Sequence, residues 1–162
     1  MTGVLARRTT SVVDTQELAG RLAALARPGD LLLLAGDLGA GKTAFTQGFA
    51  RGLGVAEQVT SPTFTLARSY DGRLLLHHLD VYRLDHLSEA NDLGLAELLD
   101  SRAVTLIEWG DRVLAALPGD YLEVVLELGD GDDERRVTLR PVGPSWPRRW
   151  DAVRSTTEEW AC

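Results

Sequence analysis

The run Gly36-Asp37-Leu38-Gly39-Ala40-Gly41-Lys42-Thr43 carries the spacing Gly-x-x-x-x-Gly-Lys-Thr. These residue types in this order suit phosphate binding. Glycines let successive backbone N–H groups curl around an anion without side chains in the way. The lysine ammonium reaches the β- and γ-phosphates, and the threonine hydroxyl can ligate Mg²⁺. A helix starting directly after the loop would add the positive end of its dipole. Given one lysine, the chance that its neighbours supply both glycines and the hydroxyl is on the order of one in a thousand at ordinary composition frequencies. The expected ligand is therefore a nucleotide with its Mg²⁺, held by Asp37, Leu38, Gly39, Ala40, Gly41, Lys42 and Thr43.

A phosphate loop also needs an acid at a neighbouring strand end to hold the metal. Two acids close apolar runs, Asp80 after Leu74–Leu79 and Glu108 after Val104–Ile107. Such a carboxylate emerges at the carboxyl edge of a sheet, where ligands of open α/β sheets bind. At least one of them should touch the metal, directly or through water, and the residues alone do not say which. His78 alternates with Asp80 and can share its face, although a lone histidine is more often structural. Trp109 should point away from Glu108, so a core role suits it equally. Arg83 could neutralise transition-state charge, but a salt bridge is the commoner fate of an arginine. Ser61-Pro62-Thr63-Phe64 fits a loop with a hydroxyl near the γ-phosphate and fits a plain turn as well.

The elements that must position these groups are legible in outline. Leu18, Leu22 and Leu25 stand at helical spacing over residues 14–27, with Asp14 as the expected N-cap and Pro28-Gly29 as the break. Leu31–Ala35 reads as a strand buried on both faces. Phe45, Phe49 and Leu53 mark a helix over 43–53. Two strands flank the turn signal Asp71-Gly72, and two more flank Gly129–Asp133. Residues 86–100 read as helical pieces broken near Gly94, and Val104–Trp109 as another buried strand. This mixture predicts an α/β fold: a three-layer P-loop NTPase-like domain with a mixed sheet and added antiparallel hairpins. The expected domain covers residues 1–141. Residues 142–162 hold prolines and three of the four tryptophans, and read as a tail that is partly disordered or docks back on the body.

Composition removes other classes. The 162 residues suit one domain, and 44% hydrophobic residues suffice for one core. The longest apolar run, Leu31–Ala35, is far below the roughly 20 residues of a membrane span. The N-terminus shows no signal-peptide pattern. One cysteine, Cys162, excludes an intramolecular disulfide and a cysteine metal cage. A reducing cytoplasm is the expected location. A net charge of −7 argues against broad nucleic-acid contact. The paired arginines, such as Arg135-Arg136 and Arg148-Arg149, read as solvated surface charge.

Lys42 is the only lysine among 17 basic residues. An Asn-Lys-x-Asp guanine-reading motif therefore has no lysine to use. The strand lysine of protein kinases is likewise missing, and no Leu-Ser-Gly-Gly-Gln signature of transporter ATPases is present. Adenine nucleotide is the default.

The phosphate loop, Ser61-Pro62-Thr63-Phe64, His78-x-Asp80-x-Tyr82-Arg83, Leu93-Gly94-Leu95 and Ile107-Glu108-Trp109 follow one another in this order. Over roughly residues 14–140 the chain closely resembles the TsaE (YjeE) family of small bacterial P-loop ATPases. That resemblance implies an ATP hydrolase, stimulated by partners, that works with ATP and Mg²⁺. It implies the TsaB–TsaD heterodimer as partner, and a role in forming N6-threonylcarbamoyladenosine in tRNA beside the anticodon. The tRNA would be held through the complex, and no membrane is involved. By the same resemblance Lys42 and the loop amides hold phosphates, and Thr43 and Glu108 ligate Mg²⁺. Asp80 is then the acid that positions the attacking water and a further metal candidate, while Trp109 and Thr15 join the nucleotide site. Asp111 stands near an acid that the family often carries beyond Glu-Trp. The segment from 141 onward has no placed counterpart there. Two other readings remain: a small-molecule P-loop kinase, and a nucleotide-binding adaptor without catalysis.

Overall fold

The computed structural model describes residues 3–37, 39–60, 67–80, 99, 102–108 and 117–162. Ser61–Leu66, Tyr82, Arg83, Leu93–Leu95, Trp109 and Asp111 lie outside the described residues, as does most of the segment read as helical over 86–100.

Among the described residues, seven strands form one mixed sheet: β1 (Leu5–Thr9), β2 (Leu31–Ala35), β3 (Ala67–Tyr70), β4 (Leu76–Asp80), β5 (Val104–Glu108), β6 (Tyr121–Leu128) and β7 (Arg135–Val142). Their order across the sheet is β1-β7-β6-β2-β5-β4-β3. Strands β6, β2, β5 and β4 run parallel at the centre. Strand β3 pairs antiparallel with β4, and β7 pairs antiparallel with β6 and β1. The expected mixed α/β architecture, a parallel centre with antiparallel hairpins, is the one observed. Strand β1 was not anticipated; its short, arginine-bearing sequence gives no apolar run.

The central strands are buried on both faces, which explains their continuous apolar wording. Leu32, Leu34, Leu106 and Val124 join the main core, and Leu33, Leu79 and Ile107 are buried on the opposite face. Helices α1 (Val12–Ala23) and α2 (Lys42–Gly52) cover the main-core face. Leu18, Leu22, Phe45 and Phe49 point inward and are fully buried. Each such side chain contributes about 1.5–3 kcal/mol relative to exposure.

Helix α1 starts earlier than the sequence suggested. Its N-cap is Ser11, not Asp14. Ser11 is extended, and its hydroxyl accepts from the Asp14 N–H at 3.0 Å. Asp14 sits in the first turn, where its charge suits the helix dipole, and its Oδ2 accepts from the Thr10 N–H. Both residue types cap helices, so composition alone did not separate them.

The two helices approach closely through glycine. A Cβ on Gly48 would collide with the backbone of Gln16, and one on Gly52 would stand 2.7 Å from the Gly20 carbonyl oxygen. Only side-chain-free positions permit this contact, which presses α1 onto the helix that follows the phosphate loop.

Residues 142–162 pack on the same core. A 3₁₀ turn at Pro147–Arg149 leads into α3 (Trp150–Thr156), followed by a second turn at Glu158–Trp160. Trp146, Trp150 and Trp160 are all buried. Arg149, expected on the surface, is buried and forms a two-pronged pair with Asp30, at 2.6 and 2.8 Å. Its guanidinium stacks over Trp146 at 3.9 Å and donates to the Leu25 carbonyl and the Ser145 hydroxyl. Arg7 is buried too and donates to Thr157.

Two outcomes test this packing. Gly48→Ala should lower unfolding free energy by about 1–3 kcal/mol, the usual cost of overpacking, whereas Gly54→Ala, where a Cβ meets open space at positive φ, should cost only backbone strain of about 1–2 kcal/mol. Arg149→Ala should cost about 3–5 kcal/mol by leaving Asp30 buried and unpaired. Urea denaturation of each variant reads both.

Candidate functional site

The site is built where β2 ends. Gly36 leaves the sheet at φ 150°, and a Cβ there would strike the Leu126 carbonyl on β6 and stand 3.3 Å from Ala40. The loop can therefore leave the sheet beside β6 only with glycine. The Ala40 N–H returns to the Asp37 carbonyl at 3.0 Å. Gly41 then adopts the left-handed region at φ 106° and opens α2. Among the described residues no side chain caps α2, and no acid stands in its first turn. A helix N-terminus of this kind presents N–H groups and a positive dipole end. Leu38 lies outside the described residues; Asp37 and Gly39 are exposed and Ala40 is buried.

Lys42 is the first residue of α2 and is buried, with 7% exposure. Its ammonium folds back on the loop, donating to the Gly36 carbonyl at 2.7 Å and the Asp37 carbonyl at 3.0 Å. Burial pushes its pKa below the usual lysine value, and the negative charges of Glu108, Asp80 and Asp37 oppose that shift. The ammonium therefore sits in the field of both strand-end acids. Thr43 follows it, half-buried in the first turn.

Sheet register brings the acids together. Leu34 on β2 pairs with Glu108 on β5, and Glu108 pairs with Asp80 on β4. Paired residues of parallel strands share a face, so Glu108 stands beside the strand that feeds the loop and Asp80 one strand further along the same edge. Glu108 is buried at 3% exposure, and its Oε2 lies 2.9 Å from His78 Nε2. Asp80 is half-buried. His77 points to the opposite face, lies 2.8 Å from the Ser69 hydroxyl through Nδ1, and has its pKa pushed down by burial.

Thr15 is placed differently from the loop residues. It is buried on α1, and its hydroxyl hydrogen-bonds Thr9 at 2.7 Å, bracing the turn between β1 and α1. Trp109 lies outside the described residues.

Two contacts escaped the sequence reading. One is the His78–Glu108 hydrogen bond; its only signal was the two-residue spacing of His78 from Asp80. The other is Arg135 at the start of β7, whose guanidinium donates to the Gly39 carbonyl at 3.3 Å. Nothing local marked that arginine, because the β6–β7 hairpin meets the loop only in the fold.

The donor set is hard and oxygen-based: one hydroxyl and two carboxylates beside a phosphate loop. That chemistry fits Mg²⁺, which binds through one or two carboxylates together with phosphate oxygens. A buried ammonium, uncapped helix amides and glycines at the turn fit a polyphosphate.

Comparison with known proteins identifies the family. The family model described as Threonylcarbamoyl adenosine biosynthesis protein TsaE matches residues 9–137. A Bacillus subtilis (strain 168) protein named tRNA threonylcarbamoyladenosine biosynthesis protein TsaE is 48% identical over 137 residues, which is 84% of this chain and 85% of that protein. A Treponema pallidum (strain Nichols) protein of the same name is 44% identical over 125 residues, covering 76% of this chain and 93% of its own. The crystal structure of Bacillus subtilis YdiB superposes with a TM-score of 0.77 at 40% identity, over 98% of this chain and 97% of that one. That coverage extends into residues 142–162, so the C-terminal segment, unplaced from sequence, has a counterpart in YdiB. The chain belongs to the TsaE family, whose role lies in the biosynthesis of threonylcarbamoyladenosine in tRNA.

Proposed function

We propose that this chain is a cytoplasmic, Mg²⁺-dependent ATPase that supports a TsaB–TsaD complex in forming N6-threonylcarbamoyladenosine in tRNA. The observation that carries the reading is the position of Lys42. Its ammonium is buried at the mouth of an uncapped helix and lies in the field of two carboxylates set side by side by strand register. The family role supplies the pathway, and it supports the partner and tRNA parts of the reading.

On this reading the loop amides and Lys42 bind the β- and γ-phosphates of ATP. Lys42 exchanges two backbone carbonyls for phosphate oxygens, a gain in charge complementarity that the helix dipole reinforces. Thr43 and Glu108 hold Mg²⁺, with Asp80 as the neighbouring acid. When bound there, Mg²⁺ would supply charge neutralisation on the phosphates. Asp80 orients water for in-line attack on the γ-phosphorus. Water adds to phosphorus, the bond to the β-phosphate oxygen breaks, and the proton passes to the released phosphate or to solvent. Thr15 contributes through the Thr9–Ser11 turn that it braces, and Trp109 completes the nucleotide site.

Phosphate release from ATP, measured with Mg²⁺ and with or without TsaB–TsaD and tRNA, tests this. Stimulation by the complex is expected. Lys42→Ala and Asp80→Ala should each lower turnover by about 100-fold or more, the scale of losing one group that stabilises transition-state charge, with circular dichroism unchanged. A wild-type protein silent even with its partners, or an active Lys42→Ala variant, overturns the proposal. A metabolite that accepts the phosphate would reassign the chain as a kinase.

A further inference from the structure

His78 is completely buried, yet it is a polar ring at a position where an aliphatic side chain would cost less to bury. It reaches along one face of the sheet. His78 pairs with Leu106 in the register and Asp80 with Glu108, so the ring extends diagonally from β4 to the Glu108 carboxylate on β5. Nε2 stands 2.9 Å from Glu108 Oε2, and Nδ1 has no hydrogen-bond partner among the described residues. A proton on Nδ1 would be a buried donor without an acceptor. The ring proton therefore belongs on Nε2, which donates it to the carboxylate. The neighbouring His77 lies on the other face and is engaged with Ser69, so it cannot substitute.

We infer that His78 is the positioning residue for Glu108: its Nε2–H fixes Oε2 and leaves Oε1 as the oxygen offered to Mg²⁺. This inference rests on the reading of Glu108 as a metal ligand. A free glutamate carboxylate must be ordered when it binds a cation, whereas one oxygen tied to a buried ring is ordered beforehand. Loss of a hydrogen bond that orients a metal-binding group typically weakens metal affinity by about 10–100-fold.

The test uses the full chain with ADP and measures Mn²⁺ binding by electron paramagnetic resonance. Binding of a fluorescent ADP analogue without metal is measured in parallel. His78→Met should weaken Mn²⁺ binding by about 10–100-fold and leave metal-free nucleotide affinity unchanged. His78→Gln, whose amide nitrogen can stand where Nε2 stood, should recover most of the loss. His78→Asn, whose amide stops at the Nδ1 position, should repeat the loss and serves if His78→Met does not fold. The role of His78 is overturned if a folded Met or Asn variant keeps wild-type Mn²⁺ affinity. It is equally overturned if metal-free and metal-bound affinities fall together, or if Gln is no better than Met. Glu108→Gln separates the two layers. If it binds Mn²⁺ as wild type does, the ligand assignment fails and the inference with it. If it loses the metal while His78→Met keeps it, only the role of His78 fails.

Discussion

The site depends on the register of three parallel strands. Leu34, Glu108 and Asp80 stand abreast on β2, β5 and β4, and all three strands end at the same edge. The backbone hydrogen bonds of the ladder, not the side chains themselves, fix the spacing between loop and acids. A shift of one residue in either pairing would turn a carboxylate to the opposite face, because side chains alternate with period two. The apolar burial of β2, β5 and β4 on both faces makes such a slip costly. Core packing and site geometry are therefore one constraint.

Charge at that edge is balanced in a way the register makes possible. Lys42 is buried, which disfavours its charged form, and Glu108, Asp80 and Asp37 oppose that effect. The ammonium is also solvated by two loop carbonyls. Glu108, buried in turn, has His78 as its hydrogen-bond donor. Each ionisable group in the cluster thus has a counterpart close by, as burial requires. Anionic phosphate would add negative charge to a place with one ammonium, uncapped helix amides and two acids. On the proposed reading a divalent cation would restore the balance, an electrostatic reason to pair such a loop with strand-end carboxylates.

Much of this was legible in the sequence where the signal was local. The phosphate loop is contiguous, and its strand and helix neighbours carry their own periodicity. The apolar runs placed Asp80 and Glu108 at strand ends, and both close their strands in the fold. What was not legible required a partner far along the chain. Arg149 looked like surface charge because its partner Asp30 lies 119 residues away. His78 looked structural because its partner is on another strand. Strand β1 was missed because it is stabilised by pairing with β7 and by its contact with the C-terminal turn, not by an apolar pattern of its own. Ser11 and Asp14 were confused because both satisfy the same local rule.

The C-terminal segment belongs to the support of the loop rather than to a separate appendage. Strand β2 is five residues long and paired on both sides, and its two ends are held as well. At the amino end Asp30 is gripped by Arg149, which is itself stacked on Trp146. At the carboxyl end Gly36 fits beneath the Leu126 carbonyl. The same segment reaches α1, where the Trp160 indole donates to Asp14 at 2.6 Å, and α1 lies against α2 through the glycine contact. The tail thus contacts the residue before β2 directly and reaches the helix after the loop through α1. Two buried tryptophans and an ion pair hold the loop between fixed supports. On the proposed reading, a loop so clamped would lose little conformational freedom on binding phosphate, so less of the interaction energy would be spent on ordering it.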